Sequence, residues 1–304
     1  MTKKVAIGFL TYGQTSRQYL DSFLSGLKEQ TFTDFQLLAL DNTEEENSVN
    51  VQFLRQQSPA VKVLWPGTNL GFGAGFNRLI KEALALGAEY FLVVNADTFW
   101  TPRALELLVA ALDRRSDLGS VSPKILKWDF AGQKFTKIID TCGLRLLPGL
   151  HFVDLGQGEE DKGQYDSAEI LGPSGAAGLF RLSALAQSAE DGQYFDEKFF
   201  MYKEDCDLAY RLKLKGWPSA LVSQAIVYHD RTASGSASLL GSLAARSGKS
   251  QQVKLWSFSG QQRLIAKYWA RQTWFNKLAI IWRQFLTFAY ALVFEPALLK
   301  KGKK

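Results

Sequence analysis

Over its first hundred residues the chain alternates between two hydrophobic periods, and this alternation limits its fold more than any other feature. Short β-rich runs occupy 5–10, 36–40, 61–64 and 90–94, with helical stretches near 16–28, 47–57 and 75–86. Strands and helices alternating at this spacing form βαβ units, which predicts an α/β fold: a mostly parallel sheet with helices on both faces. Such sheets bind ligands beyond the carboxyl ends of their strands. The residues at those exits are Thr11-Tyr12-Gly13, Asp41-Asn42, Gly67-Thr68-Asn69 and Asn95-Ala96-Asp97, each a small or polar cluster.

The pattern continues with a helix predicted over 102–114, with Pro102 in its first turn and Thr101 as its cap. Residues 128–170 are irregular and Gly-rich, with room for short antiparallel strands. The small-residue stretch Gly172–Gly178 then leads into Leu179-Phe180-Arg181. A helix over 204–215 carries acids in its first turn, Lys213 and Lys215 in its last, and Gly216 as its stop, all matching the helix dipole. A strand over 225–228 ends at His229, and the Ser/Gly/Ala-rich 232–250 reads as a loop.

A chain of 304 residues can bury one large α/β core and an appendage. Cys142 and Cys206 are far apart and lack metal-ligand spacing, which suits a reducing compartment. The first apolar run is too short for a signal peptide, so the expected location is the cytosol.

Three clusters carry chemistry. Asp97, just past a buried strand, can hold a hard divalent cation and through it a diphosphate, although a lone strand-end aspartate also serves as a turn or cap. In Glu204-Asp205-Cys206-Asp207, three acids within four residues repel if buried and ionised. One of them is expected to have a raised pKa, which suits a general base; acids also favour a helix first turn for its dipole alone. In Asn69–Asn77, glycines at 71, 73 and 75 let backbone approach a ligand closely, or simply make a tight turn into a helix. No Gly-Lys-Ser/Thr ending follows, so this is not a P-loop.

The order of these clusters resembles the family 2 glycosyltransferases, especially the rhamnosyltransferase-like members that build bacterial surface polysaccharides. The resemblance spans residues 5–231 and rests on Val5–Gly13, Asp41-Asn42-Thr43, Asn69–Asn77, Val94–Thr98, Gly175–Arg181, Phe195–Phe200, Tyr202–Leu208 and His229. It implies the Rossmann-like GT-A fold over 1–235 and an inverting, non-processive transfer of a sugar. The donor would be dTDP-rhamnose or a UDP-hexose, and the acceptor a glycan or a polyprenyl-linked sugar.

It also implies roles. Thr11, Tyr12 and Asp41 would contact the donor's base and ribose, with Asn69, Gly71, Asn77 and Asn95 shaping the same pocket. Asp97, the last acid of the Asp-x-Asp motif, would hold Mg²⁺ or Mn²⁺, with His229 as a second ligand. Asp205 would be the base and Glu204 its helper. Gly13 departs from the family's frequent asparagine, and Asn95 replaces the first acid of the metal motif. The Gln-x-x-Arg-Trp signature of processive synthases is absent.

Residues 236–304 are expected to form a loop and an amphipathic helical extension. Trp256, Tyr268, Trp269, Trp274, Phe275 and Trp282 interleave with Arg263, Lys267, Arg271, Lys277 and Arg283. The apolar run 278–294 is interrupted by Arg283 and Gln284, which argues against a transmembrane span. Aromatic and basic residues together, with the lysines at 300–304, suit peripheral attachment to an anionic membrane on its cytoplasmic side. Packing on the catalytic domain and homodimerisation are the alternatives. No nucleic-acid-binding module accompanies the charge. Two other functions fit less well. A nucleotidyltransferase would carry a basic Gly-rich loop where Thr11-Tyr12-Gly13-Gln14 stands, and a catalytically silent scaffold binding nucleotide or lipid has no reason to keep both Asp97 and Asp205.

Overall fold

The computed structural model describes residues 3–58, 60–231 and 250–299. One ten-stranded mixed sheet organises the catalytic part. Strands β1 (Val5–Thr11), β2 (Phe35–Asp41), β3 (Lys62–Leu64) and β4 (Tyr90–Asn95) run parallel in the order β3-β2-β1-β4, as the alternating pattern predicts. Helices α1 (Gly13–Lys28), α2 (Val49–Gln57) and α3 (Gly71–Ala85) connect them.

Alternate residues of each strand enter different cores, the period-2 signature of a sheet buried on both faces. Val5, Ile7 and Phe9 pack with α1, α2 and α4 (Ala104–Arg114), whereas Ala6 packs with α3 on the other face. At Gly8 any side chain would strike the ring of Phe91.

Beyond β4 the sheet becomes mixed. Strand β11 (Ala177–Arg181) inserts antiparallel between β4 and β6 (Ser120–Asp129). The last strand, β12 (Ser219–His229), lies parallel to β6 and antiparallel to the short β5 (Thr98–Trp100). The irregular 128–170 region resolves into β7 (Lys134–Thr141) on the edge of β6, a separate hairpin of β8 (Leu144–Leu147) and β9 (His151–Asp154), and the short β10 (Glu169–Ile170) against β12.

Register places the site. Thr11 pairs with Asp41, Leu10 with Asn95, and His229 with Thr98, so these strand ends share one edge. Helix α5 (Leu182–Ser188) follows β11, and α6 (Glu204–Leu214) ends at Gly216, whose φ of +81° supplies the left-handed stop.

Two C-terminal helices, α7 (Gln251–Tyr268) and α8 (Trp274–Phe294), complete the described chain. Asp207 is fully buried where α7 meets α6, accepting from Arg211 (2.8 Å), Tyr268 (2.7 Å) and Lys267 (2.8 Å). The extension therefore docks behind the catalytic helix through a neutralised carboxylate. Helix α8 is continuous through Arg283 and Gln284, the residues that interrupt its apolar run. Both side chains turn toward protein, so the polar break in sequence becomes a polar flank in structure. The expected boundary at 235/236, most of the loop at 232–250 and the terminal lysines lie outside the described residues.

Candidate active site

A cavity of about 460 Å³ opens at the shared strand ends, lined by Asn95, Asp97, Ser174, Glu204, Asp205, His229 and Arg231 among others. Four separate segments supply these groups. The turn after β4 gives Asn95 and Asp97, the Gly-rich approach to β11 gives Ser174, the start of α6 gives the acids, and the end of β12 gives His229.

Asp205 sits in the first turn of α6. One carboxylate oxygen accepts the Gly175 N–H at 3.0 Å and the other the Cys206 N–H at 2.7 Å. Two backbone donors thus fix the group that faces the cavity. Before it, Tyr202 and Lys203 both adopt left-handed φ (+71° and +79°), sharply reversing the chain into α6. Such strain costs on the order of 1–3 kcal/mol per residue and persists only where the surroundings enforce it. Helix α7 packs against this turn: a Cβ at Gly260 would lie 2.9 Å from the Tyr202 carbonyl oxygen.

Of the three clustered acids, Glu204 has the raised pKa. Burial, then the neighbouring Asp205 charge, push its carboxyl well above the usual range. Its Oε2 is buried with no hydrogen-bond partner among the described residues, as is the Ser174 hydroxyl in the same cavity. Buried polar atoms rarely stay unpaired, and in a cavity such atoms mark where a ligand's polar groups would be received.

At the other end of the cavity His229 is buried between two carboxylates. Its Nδ1 lies 2.9 Å from Asp140 and its Nε2 3.2 Å from Asp97. Burial opposes the charged ring, yet Asp97 and Asp140 outweigh it and raise its pKa to about 10. Arg231 bridges Asp140 (3.3 Å) and Asp154 (3.0 Å). Once its Nε2 proton is released, this imidazole, tied through its other nitrogen to a second carboxylate, forms with Asp97 a donor set suited to a divalent cation. Among the described residues no group of three or more His, Cys, Asp or Glu side chains clusters as a complete metal site. Asp97 and His229 therefore fit Mg²⁺ or Mn²⁺ only as part of a shell that diphosphate and water oxygens complete.

The remaining expected residues lie outside the lining of this cavity. Asp41 is fully buried and accepts from Thr11 (2.8 Å), Thr43 (2.8 Å) and Ser48, organising the ends of β1 and β2. Tyr12 is half exposed above them. Asn69 caps the Gly71 N–H at 2.9 Å, and Gly71 is left-handed (φ +76°) with the Phe200 carbonyl against it, where no side chain fits. Asn77 is buried and clamps residues 194–197 through four hydrogen bonds, shaping the cavity wall from behind.

Asn42, singled out in sequence only as part of a strand exit, ties the glycine turn to β2 by accepting from the Leu70 N–H and donating to the Gly71 carbonyl. Sequence reading overlooked Asp140, Asp154, Arg231 and Ser174. The first two come from the irregular region, whose strands carry no strong periodic signal. Arg231, two residues past His229, was the one accessible by position.

Comparison with known proteins bears on the family and the fold. The family described as "Glycosyl transferase family 2" matches residues 8–181. Two curated relatives, from Mycobacterium tuberculosis strains CDC 1551 and H37Rv, are each named N-acetylglucosaminyl-diphospho-decaprenol L-rhamnosyltransferase. Each is 28% identical over 249 residues, covering 76% of this chain and 77% of its own length. Among solved structures, S. aureus TarS 1–349 in complex with UDP superposes with a TM-score of 0.51 at 20% identity, over 75% of this chain and 60% of that one. GalNAc-T7 with UDP, GalNAc and Mn²⁺ gives 0.57 at 10% identity, over 75% and 43%. The chain thus spans less than two thirds of either structure; at these identities the likeness establishes the GT-A fold alone.

Proposed function

The chain belongs to glycosyl transferase family 2, and from that premise we propose that it transfers one sugar, with inversion, from a nucleoside-diphosphate donor to a polyprenyl-linked glycan. The relatives' name favours an L-rhamnosyl donor such as dTDP-rhamnose over a UDP-hexose, and an acceptor bearing a sugar on a diphosphate-linked lipid. The proposed setting is surface-polysaccharide synthesis on the cytoplasmic side of the plasma membrane. The two cysteines, both free and buried, are consistent with a reducing compartment.

The observation that carries the reading is the pinned carboxylate of Asp205 in the same cavity as the Asp97–His229 pair. Asp205 accepts the proton of the acceptor hydroxyl as that oxygen attacks the anomeric carbon from the face opposite the leaving diphosphate. Its hydrogen bonds to two backbone N–H groups hold it in place without loop reorganisation. Glu204, its carboxyl pushed well above the usual range by burial, and Ser174 present polar atoms that orient the acceptor's neighbouring hydroxyls. The nucleoside would be received at Tyr12, with the buried Thr11 and Asp41 ordering the strand ends beneath it, and the diphosphate and sugar would approach on the side of Asn95 and Gly71. Asp97 and His229 would hold Mg²⁺ or Mn²⁺, which supplies charge neutralisation of the departing diphosphate. A single displacement inverts the anomeric centre and needs no protein nucleophile.

The test is the Asp205→Asn variant, which keeps the shape and one of the two backbone contacts but cannot take the proton. Transfer should fall at least about a hundredfold while nucleotide-sugar binding stays within a few fold. Turnover near the wild-type rate would remove Asp205 as the base. A silent scaffold would bind nucleotide or lipid without turning over any donor.

A further inference from the structure

Helix α8 leaves most of its circumference uncovered. Trp274, Phe275, Ile281, Trp282, Phe285 and Leu292 are each more than half exposed, and only Ile280 and Ala291 of its 21 residues are buried. Single exposed apolar side chains are common on proteins, but a contiguous stripe of this size marks a surface built to meet something apolar. At about 1.5 Å per residue the helix is roughly 32 Å long, sufficient to cross a bilayer. Composition alone therefore leaves crossing open.

The opposite flank closes that possibility. Asn276 accepts the Gly149 N–H at 2.6 Å, and Arg283 donates to the Gly149 carbonyl at 3.2 Å. Gln284 and Gln262 of α7 exchange hydrogen bonds at 2.6 and 3.2 Å. Just past the helix, Glu295 pairs with Lys254 at 3.2 Å, and Leu298 is buried. Helix α8 is thus fastened to the β8–β9 turn and to α7 from end to end. Crossing would either pull those elements into hydrocarbon or strip every one of these polar contacts.

Charge selects the occupant. Residues 250–299 contain six basic side chains and one acid, Glu295. Lys254 pairs with that acid and Lys267 with Glu190, Asp196 and Asp207 of the catalytic part, so the segment's excess charge rests on Arg263, Arg271, Lys277 and Arg283. Arg263 and Arg271 are exposed, and Lys277 lies 5.6 Å from the Trp269 ring. A two-fold dimer through α8 would bring this excess of positive charge toward its own copy. An anionic lipid surface is attracted by it, and indole rings suit the headgroup layer.

We propose that α8 lies flat in the interfacial layer of an anionic bilayer, apolar face inward, with the catalytic domain riding on its polar flank. The β8–β9 hairpin that contacts α8 at Gly149 also gives Leu144, Phe152 and Asp154 to the active-site cavity. The helix therefore fixes the height of that cavity above the lipid. The consequence for a lipid-linked acceptor rests on the glycosyl-transfer reading, but the membrane contact itself does not.

The experiment is flotation of the full chain with phosphatidylcholine vesicles and with mixed phosphatidylcholine–phosphatidylglycerol vesicles, compared with an Ile281→Glu/Phe285→Glu variant. Both substituted positions are exposed, so the variant should melt like the wild type and still bind nucleotide sugar. Wild type should float with the anionic vesicles, less so in high salt, and alkaline carbonate should release it. The variant should bind at least tenfold more weakly. No flotation with either composition, or variant binding equal to wild type, would overturn the proposal. So would carbonate-resistant insertion, or a dimer that the same substitutions dissolve while the wild type ignores vesicles. Nucleotide-sugar binding in the same samples separates a failed membrane contact from a failed enzyme assignment.

Discussion

Replacing Asn77 with Ala should destabilise the whole protein and loosen the wall that presents Asp205, although Asn77 does not need to touch substrate. Its amide nitrogen donates to the Phe195 carbonyl (2.8 Å) and to Glu197 (2.9 Å), and its oxygen accepts the N–H groups of Tyr194 (3.1 Å) and Phe195 (2.8 Å). The residue is 2% exposed. Truncation strands three backbone groups in a site with little access to water. At about 1 kcal/mol or more for each, the loss comes to about 3–5 kcal/mol. That is a large part of typical domain stability and corresponds to a fall of roughly 10 °C in Tm. Urea unfolding and thermal melts of wild type and variant measure it. An Asn77→Asp variant keeps the acceptor oxygen but faces Glu197 and a carbonyl with a carboxylate, so at neutral pH it should be at least as destabilised and recover partly in acid. A loss below about 1 kcal/mol for Asn77→Ala would refute the claim that these bonds hold the 194–197 segment.

Two further outcomes follow from the buried acids. The Glu204 carboxyl titrates well above its ordinary 4.5 in the folded chain, so the native state keeps a proton that the unfolded chain releases. The stability this gives is complete below the unfolded pKa and lost as pH rises through the folded one. Glu204→Gln should therefore match wild type near pH about 4 and exceed it at neutral pH in denaturant melts; an equal difference at both would show that Glu204 is ionised when folded. Asp140→Ala removes the carboxylate 2.9 Å from His229 Nδ1. It should raise the Mn²⁺ concentration for half-maximal transfer by about 10–100-fold, the usual effect of losing a ligand's hydrogen-bonded support. An unchanged metal requirement would separate His229 from the metal.

What sequence could reveal follows the range of each physical signal. Strands β1, β2 and β4 are legible because burial on both faces makes each a short, largely apolar run, bounded by polar exits that are themselves the site. Helix α6 is legible at both ends through its first-turn acids and Gly216. Helix α3 begins at Gly71, earlier than the expected 75, because glycines that weaken a helix in isolation are tolerated where Leu10, Phe195 and Phe200 crowd its backbone. Strand β12 starts at Ser219 instead of 225, since its first residues gain their strand character from pairing with β6. The partners of His229 were not legible: Asp140 and Arg231 meet only because β7 folds back along β6 and β12 runs beside it. The polar interruption in α8 was read correctly as polar but not as a docking flank, which depends on Gly149 more than a hundred residues away.

The most direct test of the central claim is the anomeric configuration of the product. A nucleotide sugar of known configuration is incubated with the enzyme, Mn²⁺ and a sugar-diphospho-polyprenol acceptor, and the new linkage is read by the one-bond carbon–proton coupling of its anomeric carbon. A single displacement assisted by Asp205 predicts an inverted product, lost in Asp205→Asn. A product that keeps the donor's configuration would contradict the account, because this cavity was assigned a base and no nucleophile.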